Sequence, residues 1–208
     1  MVKKIILCTP RSGSTCAIKW LRKENNLYHT NHEEPFLNEN PTLFLEKERI
    51  HGREYSYKIH VHQLTNYREW FINFYNKDEV LILKRRNLWK QFLSHLYQHE
   101  NKWKLTWTTD YNILDKTPIE AKNYKDTIKL FFTWQQWLKK FDYDIIYYED
   151  YKWNCSHLKF SNYIDYENYF INIKDIKRYY EIFYYWYKKG SWEKIERKLP
   201  DSLLYPRL

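Results

Sequence analysis

Residues 9–15, TPRSGST, gather the densest set of anion-binding groups in the chain. Ser12, Ser14 and Thr15 offer hydroxyl donors, and Arg11 offers a permanently charged guanidinium fork. Gly13 is one of only three glycines in 208 residues. A glycine here permits a left-handed backbone or a close approach that a Cβ would hinder. A helix beginning at Ser14 would present unpaired N–H groups, and its dipole would favour a negative charge there. The turn therefore reads as a cradle for a phosphate-sized anion, against the plainer alternative of a strand-to-helix turn with a serine cap. A Walker A loop needs G-x-x-x-x-G-K-[ST]. This chain lacks both the first glycine and the lysine before Ser14, which argues against a standard ATPase or GTPase.

Two further polar clusters, Lys84-Arg85-Arg86 with Asn87 and Tyr148-Glu149-Asp150, each close an apolar run. The elements that must position them alternate in type. Residues 3–8 form an apolar run bounded by Pro10, the pattern of a buried parallel strand, and residues 14–24 follow as a helix with Ala17, Ile18, Trp20 and Leu21 inward. Residues 55–61 (YSYKIHV) alternate as a strand. Leu64, Tyr67, Trp70, Phe71 and Phe74 then recur at helical spacing. EVLILKRR, 79–86, is a third strand, with Asn87 as N-cap of a helix over 88–99 whose Leu88, Phe92, Leu96 and Tyr97 face inward. Residues 100–120 lack a sustained period. A helix around 125–140 leads to a fourth strand in YDIIYYED, and 174–188 reads as a last amphipathic helix whose aromatic stripe, 179–187, belongs to a core.

This alternation predicts an α/β domain with a mostly parallel sheet flanked by helices. No repeat, low-complexity tract or linker interrupts it, so residues 1–208 are read as one domain. In such sheets ligands bind beyond the carboxyl ends of the strands, where all three polar clusters fall.

Composition bounds the partners. The formal net charge is +9 and the sequence pI about 9.2, which points to an anionic partner or to a solvated basic surface. Aromatic residues make up 20% of the chain, with 21 Tyr, more than any one site would use. That bias fits an AT-rich coding sequence such as a phage or low-GC microbe carries. Three cysteines, Cys8, Cys16 and Cys155, are too few and too scattered for a disulfide scaffold or zinc site, and no metal site is expected. The apolar run at 5–8 is too short for a signal-peptide core or a membrane span, which makes the cytoplasm the expected compartment.

TPRSGST after an apolar strand resembles the 5′-phosphosulfate loop of sulfotransferases that use 3′-phosphoadenosine 5′-phosphosulfate (PAPS). Cytosolic members carry lysine at the position of Arg11, and carbohydrate and tyrosylprotein members carry arginine in a P-R-S-G-[ST] pattern. A strand ending in arginine with serine eight residues later is similar to Arg86 and Ser94 in LILKRRNLWKQFLS, with Arg85 one residue out of register. YYEDYKWN is similar to the family's Y-E-D-[LM] segment. The resemblance spans residues 5 to about 154. It implies the P-loop-like sulfotransferase fold, with PAPS held by Arg11, Ser12, Gly13, Ser14, Thr15, Cys16, Arg86 and Ser94. Cys16 stands where cytosolic members have the tryptophan that stacks on adenine. Lys188-Lys189-Gly190 is similar to a late R-K-G loop, without the G-D-W spacing that follows it in the family.

The implied activity is in-line sulfuryl transfer from PAPS to a hydroxyl or amine, catalysed by positioning and electrostatic stabilisation, with Arg11 at the sulfonate. The resemblance also implies the general base. YKIHVHQL is similar to a K-T-H-L-P strand end, which makes His60 a candidate beside Lys58, with His62 next if the register slips by one pair. Glu34 in NHEEPF is similar to a Glu-Pro of carbohydrate members and competes with it. Glu149 and Asp150 are read as braces for arginine or helix N–H groups. The acceptor is open among a carbohydrate, an acidic glycan and a small phenol or alcohol. Two other classes compete: a P-loop-like nucleotide or nucleoside kinase, which would want the missing lysine, and a basic, aromatic-rich nucleic-acid binder. The latter is disfavoured, because it leaves the clustering at strand ends unexplained.

Overall fold

The first apolar run explains the centre of the sheet. In the computed structural model, which describes residues 4–27, 56–100, 118–151 and 166–191, β1 (Ile5–Cys8) has all four residues buried. Burial on both faces is why the run is continuous rather than alternating. Strands β2 (Tyr57–His60) and β3 (Val80–Lys84) pair parallel to β1 on its two sides, and β4 (Asp144–Tyr147) pairs parallel to β3. The order β2-β1-β3-β4 puts β1 inside the sheet. The chain thus leaves β1 to one side and returns on the other, which is the reversal that opens a crevice at the carboxyl ends. Register keeps those ends level: Cys8 lies opposite both His60 and Leu83, and Leu83 opposite Ile146.

Helix α1 (Ser14–Asn25) packs on β1 and β2. It buries Ala17, Ile18 and Leu21 as expected, but also Arg22, whose Nε donates to Ser56 Oγ at 2.7 Å. Trp20 sits at the flank of that face, half-buried against Tyr151. The expected alternating strand stops at His60, because Val61–Leu64 winds into a 3₁₀ turn tied back by the His60 N–H donating to Gln63 Oε1 at 2.9 Å. Helix α2 (Arg68–Phe74) is shorter than its periodic residues predict and buries only Phe71.

Backbone contacts gather the described residues into two compact units. The sheet, α1 and α2 belong to the first, drawn from Met1–Arg86 and Trp137–Cys155. The second, drawn from Asn87–Gln136 and Ser156–Leu208, holds α3 (Leu88–Glu100), α4 (Tyr124–Lys139) as far as Gln136, and α5 (Ile173–Lys188). Its core joins Phe92, Leu96, Phe131, Phe132, Tyr180 and Phe183. Asn87 caps α3 as its sequence position predicts, its Oδ1 accepting from the Lys90 N–H at 2.9 Å. The aromatic stripe on α5 is core along one face, with Tyr180, Phe183 and Tyr187 buried, while Tyr185 and Trp186 are exposed on the other. Among the described residues, no helix is long and apolar enough to cross a membrane.

Candidate functional site

The turn after β1 is built by two left-handed residues. Arg11 has φ 60° and Gly13 φ 91°. The first is a conformation that a non-glycine residue adopts at a cost of about 1 kcal/mol or more. Gly13 is the N-cap of α1, and its carbonyl accepts the N–H groups of Cys16 and Ala17 at 3.1 and 3.2 Å. Among the described residues, no acceptor receives the main-chain N–H of Ser12, Gly13, Ser14 or Thr15. The Ser12 hydroxyl oxygen is fully buried and also lacks a partner there. Helix α1 has no acidic residue in its first turn to supply negative charge. Unpaired donors at a helix start are what an oxyanion satisfies.

A lysine and a histidine of β2 lie beside this turn. The buried Lys58, on β2, donates from Nζ to Thr15 Oγ1 at 3.0 Å and so bridges strand and helix start. His60, at the carboxyl end of the same strand, is partly buried and lies with its ring 5.6 Å from that of His62. Burial first, then the charges of Lys58 and Arg11, push the His60 imidazole down to about 3. His60 is therefore neutral near pH 7. It has a lone pair to accept a proton, but little drive to keep one in this field.

The Tyr148 ring provides the close approach that Gly13 permits. A Cβ at Gly13 would lie 2.2 Å from a Tyr148 ring carbon. On the same ring the Arg85 guanidinium stacks at 4.1 Å. The turn, Tyr148 and Arg85 thus form one layer across the ends of β1, β3 and β4. The sequence marked Tyr148 only as part of a motif. Its contact with Gly13 depends on a strand order that local spacing does not carry.

Arg86 points its chemistry elsewhere. Its Nε and terminal nitrogen donate to the two Asp150 carboxylate oxygens at 3.0 and 2.6 Å, and its backbone N–H donates to Glu149 at 3.0 Å. Its guanidinium also lies 4.1 Å from the Tyr147 ring centre. The two carboxylates brace this arginine as expected, and the hydrogen bond from Arg86 holds the Asp150 carboxyl below its ordinary range. Arg86 closes the first unit, whereas Ser94 lies in the second, its hydroxyl 3.3 Å from that of Tyr166. Cys16 is a buried free thiol on α1. Lys188 and Lys189 end α5 in the second unit, each over a tyrosine ring at 5.5 Å, followed by Gly190 at φ 69°. Glu34 lies outside the described residues.

The structure thus brings together Arg11, Ser12, Gly13, Ser14, Thr15, Lys58 and His60, with Arg85 one layer away. No group of three or more potential metal ligands occurs among the described residues. No protein-family model, curated protein or solved structure matches this chain.

Proposed function

We propose that this chain is a PAPS-dependent sulfotransferase acting on a hydroxyl, or an amine, of a carbohydrate or small-molecule acceptor. One observation carries the reading: unpaired N–H donors and a buried, unpartnered Ser12 hydroxyl stand beside Arg11 and Lys58 at the reversal point of a parallel sheet. That donor set matches the tetrahedral oxyanions of a phosphosulfate, which arrives as co-substrate and supplies the sulfuryl group. Arg11 and the N–H groups of residues 12–15 hold those oxygens. Neutral His60, at the carboxyl end of β2, is the described candidate to take the acceptor's proton.

At the far end of the nucleotide the resemblance puts a 3′-phosphate on Arg86. Asp150 already engages Arg86, so a 3′-phosphate has to share or take over that guanidinium. A P-loop-like sulfotransferase fold, a reducing cytoplasmic setting, and Cys16 and Ser94 as cofactor contacts belong to the same proposal. The free thiols of Cys8 and Cys16 support the setting.

The test is thermal unfolding with adenosine 3′,5′-bisphosphate (PAP), ADP with magnesium, and 5′-AMP at equal concentrations. A ligand at 100 times its dissociation constant stabilises the native state by about 2.7 kcal/mol, a rise of about 5–10 °C for a chain this size. The expected result is a rise with PAP well above that with 5′-AMP or ADP. An equal or larger rise with ADP and magnesium moves a nucleotide or nucleoside kinase ahead.

A further inference from the structure

Helix α5 carries apolar side chains on two faces. Ile176, Tyr180, Phe183 and Tyr187 are buried in the core of the second unit. On the outer side Ile182, Tyr185 and Trp186, all within about one turn, stay 47%, 54% and 41% exposed. Single exposed hydrophobes are ordinary, but a cluster rimmed by charge marks a contact surface. Here the rim is basic. Lys174, Arg178, Ile182, Tyr185 and Lys189 recur three or four positions apart, so they form one stripe along the helix, about 22 Å long. Lys189, the C-cap, holds its Nζ 5.5 Å from the Tyr185 ring centre. With Lys177 and Lys188, the exposed side of this helix and its cap has five cations against the carboxylates of Asp175 and Glu181.

Charge and shape select the occupant. A second copy of this face would set cations against cations, which is unfavourable. The outer line of a helix is convex, whereas proteins that hold an extended nucleic-acid strand track it with a charged groove. Ile182 adds hydrocarbon with no ring to stack and no hydrogen-bonding group. Aliphatic and aromatic side chains set between cations on one helix face suit the boundary of an anionic bilayer. There the apolar tips enter the headgroup layer, Trp and Tyr rings sit at its level, and Lys and Arg meet anionic lipids. We propose that the outer face of α5 docks this protein on an anionic phospholipid surface. Ile182, Tyr185 and Trp186 enter the headgroup layer, and Lys174, Arg178 and Lys189 hold the lipid anions. The contact is with a surface and needs no spanning helix. It goes beyond the sulfotransferase reading and uses no residue of the 11–15 turn, so either can fail without the other.

The experiment is co-sedimentation of the full chain with vesicles of phosphatidylcholine alone and of phosphatidylcholine mixed with phosphatidylserine. Binding to the mixed vesicles should be about tenfold tighter or more. Lys174→Gln and Arg178→Gln should each weaken it by about fivefold. Ile182→Ser and Tyr185→Ser keep the charge and should each weaken it by about tenfold. Thermal unfolding checks that these exposed positions leave the fold intact, and the two glutamine variants carry the test if a serine variant unfolds. No binding to either vesicle overturns the proposal. So does binding that both serine variants leave unchanged, because the net charge of +9 then accounts for it without this face. A short single-stranded oligonucleotide bound through Tyr185, with vesicles ignored, makes nucleic acid the occupant. Self-association that Ile182→Ser abolishes, again without vesicle binding, assigns the face to a second copy. Either result overturns the lipid assignment.

Discussion

Gly13 carries two constraints at once, a φ of 91° and a tyrosine ring where its Cβ would be. Either alone makes substitution unfavourable, since a left-handed non-glycine residue costs about 1 kcal/mol or more and overpacking a filled site about 1–3 kcal/mol. Gly13→Ala is therefore expected to lower stability by about 2–4 kcal/mol, measured by urea unfolding. Within a Tyr148→Ala background Gly13→Ala should cost less than it does in the parent, because the clash is relieved and only the backbone strain remains. A single variant as stable as the parent would mean that Tyr148 does not pack on the turn. The sequence showed that Gly13 was special but not which neighbour needs it. Arg85 and Arg86 teach a similar lesson. Both end the same strand, yet one stacks on Tyr148 above the turn and the other is held by Asp150.

At the scale of elements, local signals did most of the work. Asn87 follows three cations and precedes an apolar helical period, and its side chain caps α3 at Lys90. Removing such a cap typically costs about 1 kcal/mol. Asn87→Ala should lower stability by that amount and Asn87→Asp should nearly restore it; equal loss in both would show that the cap contributes nothing. The strands were legible because β1 and β3 are buried on both faces and so run apolar without interruption. One strand stops short of its alternating pattern because a local bond ends it early. Alternation through YSYKIHV continues to Val61, but the bond from His60 to Gln63 closes a turn there, so His62 neighbours His60 across a bend rather than along a strand.

At the scale of the whole molecule, the net charge of +9 gives general attraction to polyanions, which is a different property from reading one phosphate. The two separate with salt. Duplex DNA held by charge alone should weaken with a log–log slope of about 0.9 for each phosphate contacted. The extra stabilisation by PAP over ADP should persist across the same salt range, because it depends on where a phosphate sits rather than on total charge. Thermal unfolding with PAP, ADP and a short duplex at low and high salt checks this. Loss of the PAP preference together with DNA binding would favour a nonspecific polyanion binder.

The sequence by itself determined the α/β class, the order of strands and helices, the cap of α3 and the glycine turn between β1 and α1. All of these depend on residues a few positions apart, where periodicity, capping and backbone freedom act. Only the tertiary structure decided that Lys58 meets Thr15, that Tyr148 lies on Gly13, that Asp150 holds Arg86 and that Arg11 and Lys58 together depress His60. The contacts of Lys58 with Thr15, Asp150 with Arg86 and Tyr148 with Gly13 join residues 43 to 135 positions apart. They exist because the β2-β1-β3-β4 order brings the carboxyl ends of four strands to one edge.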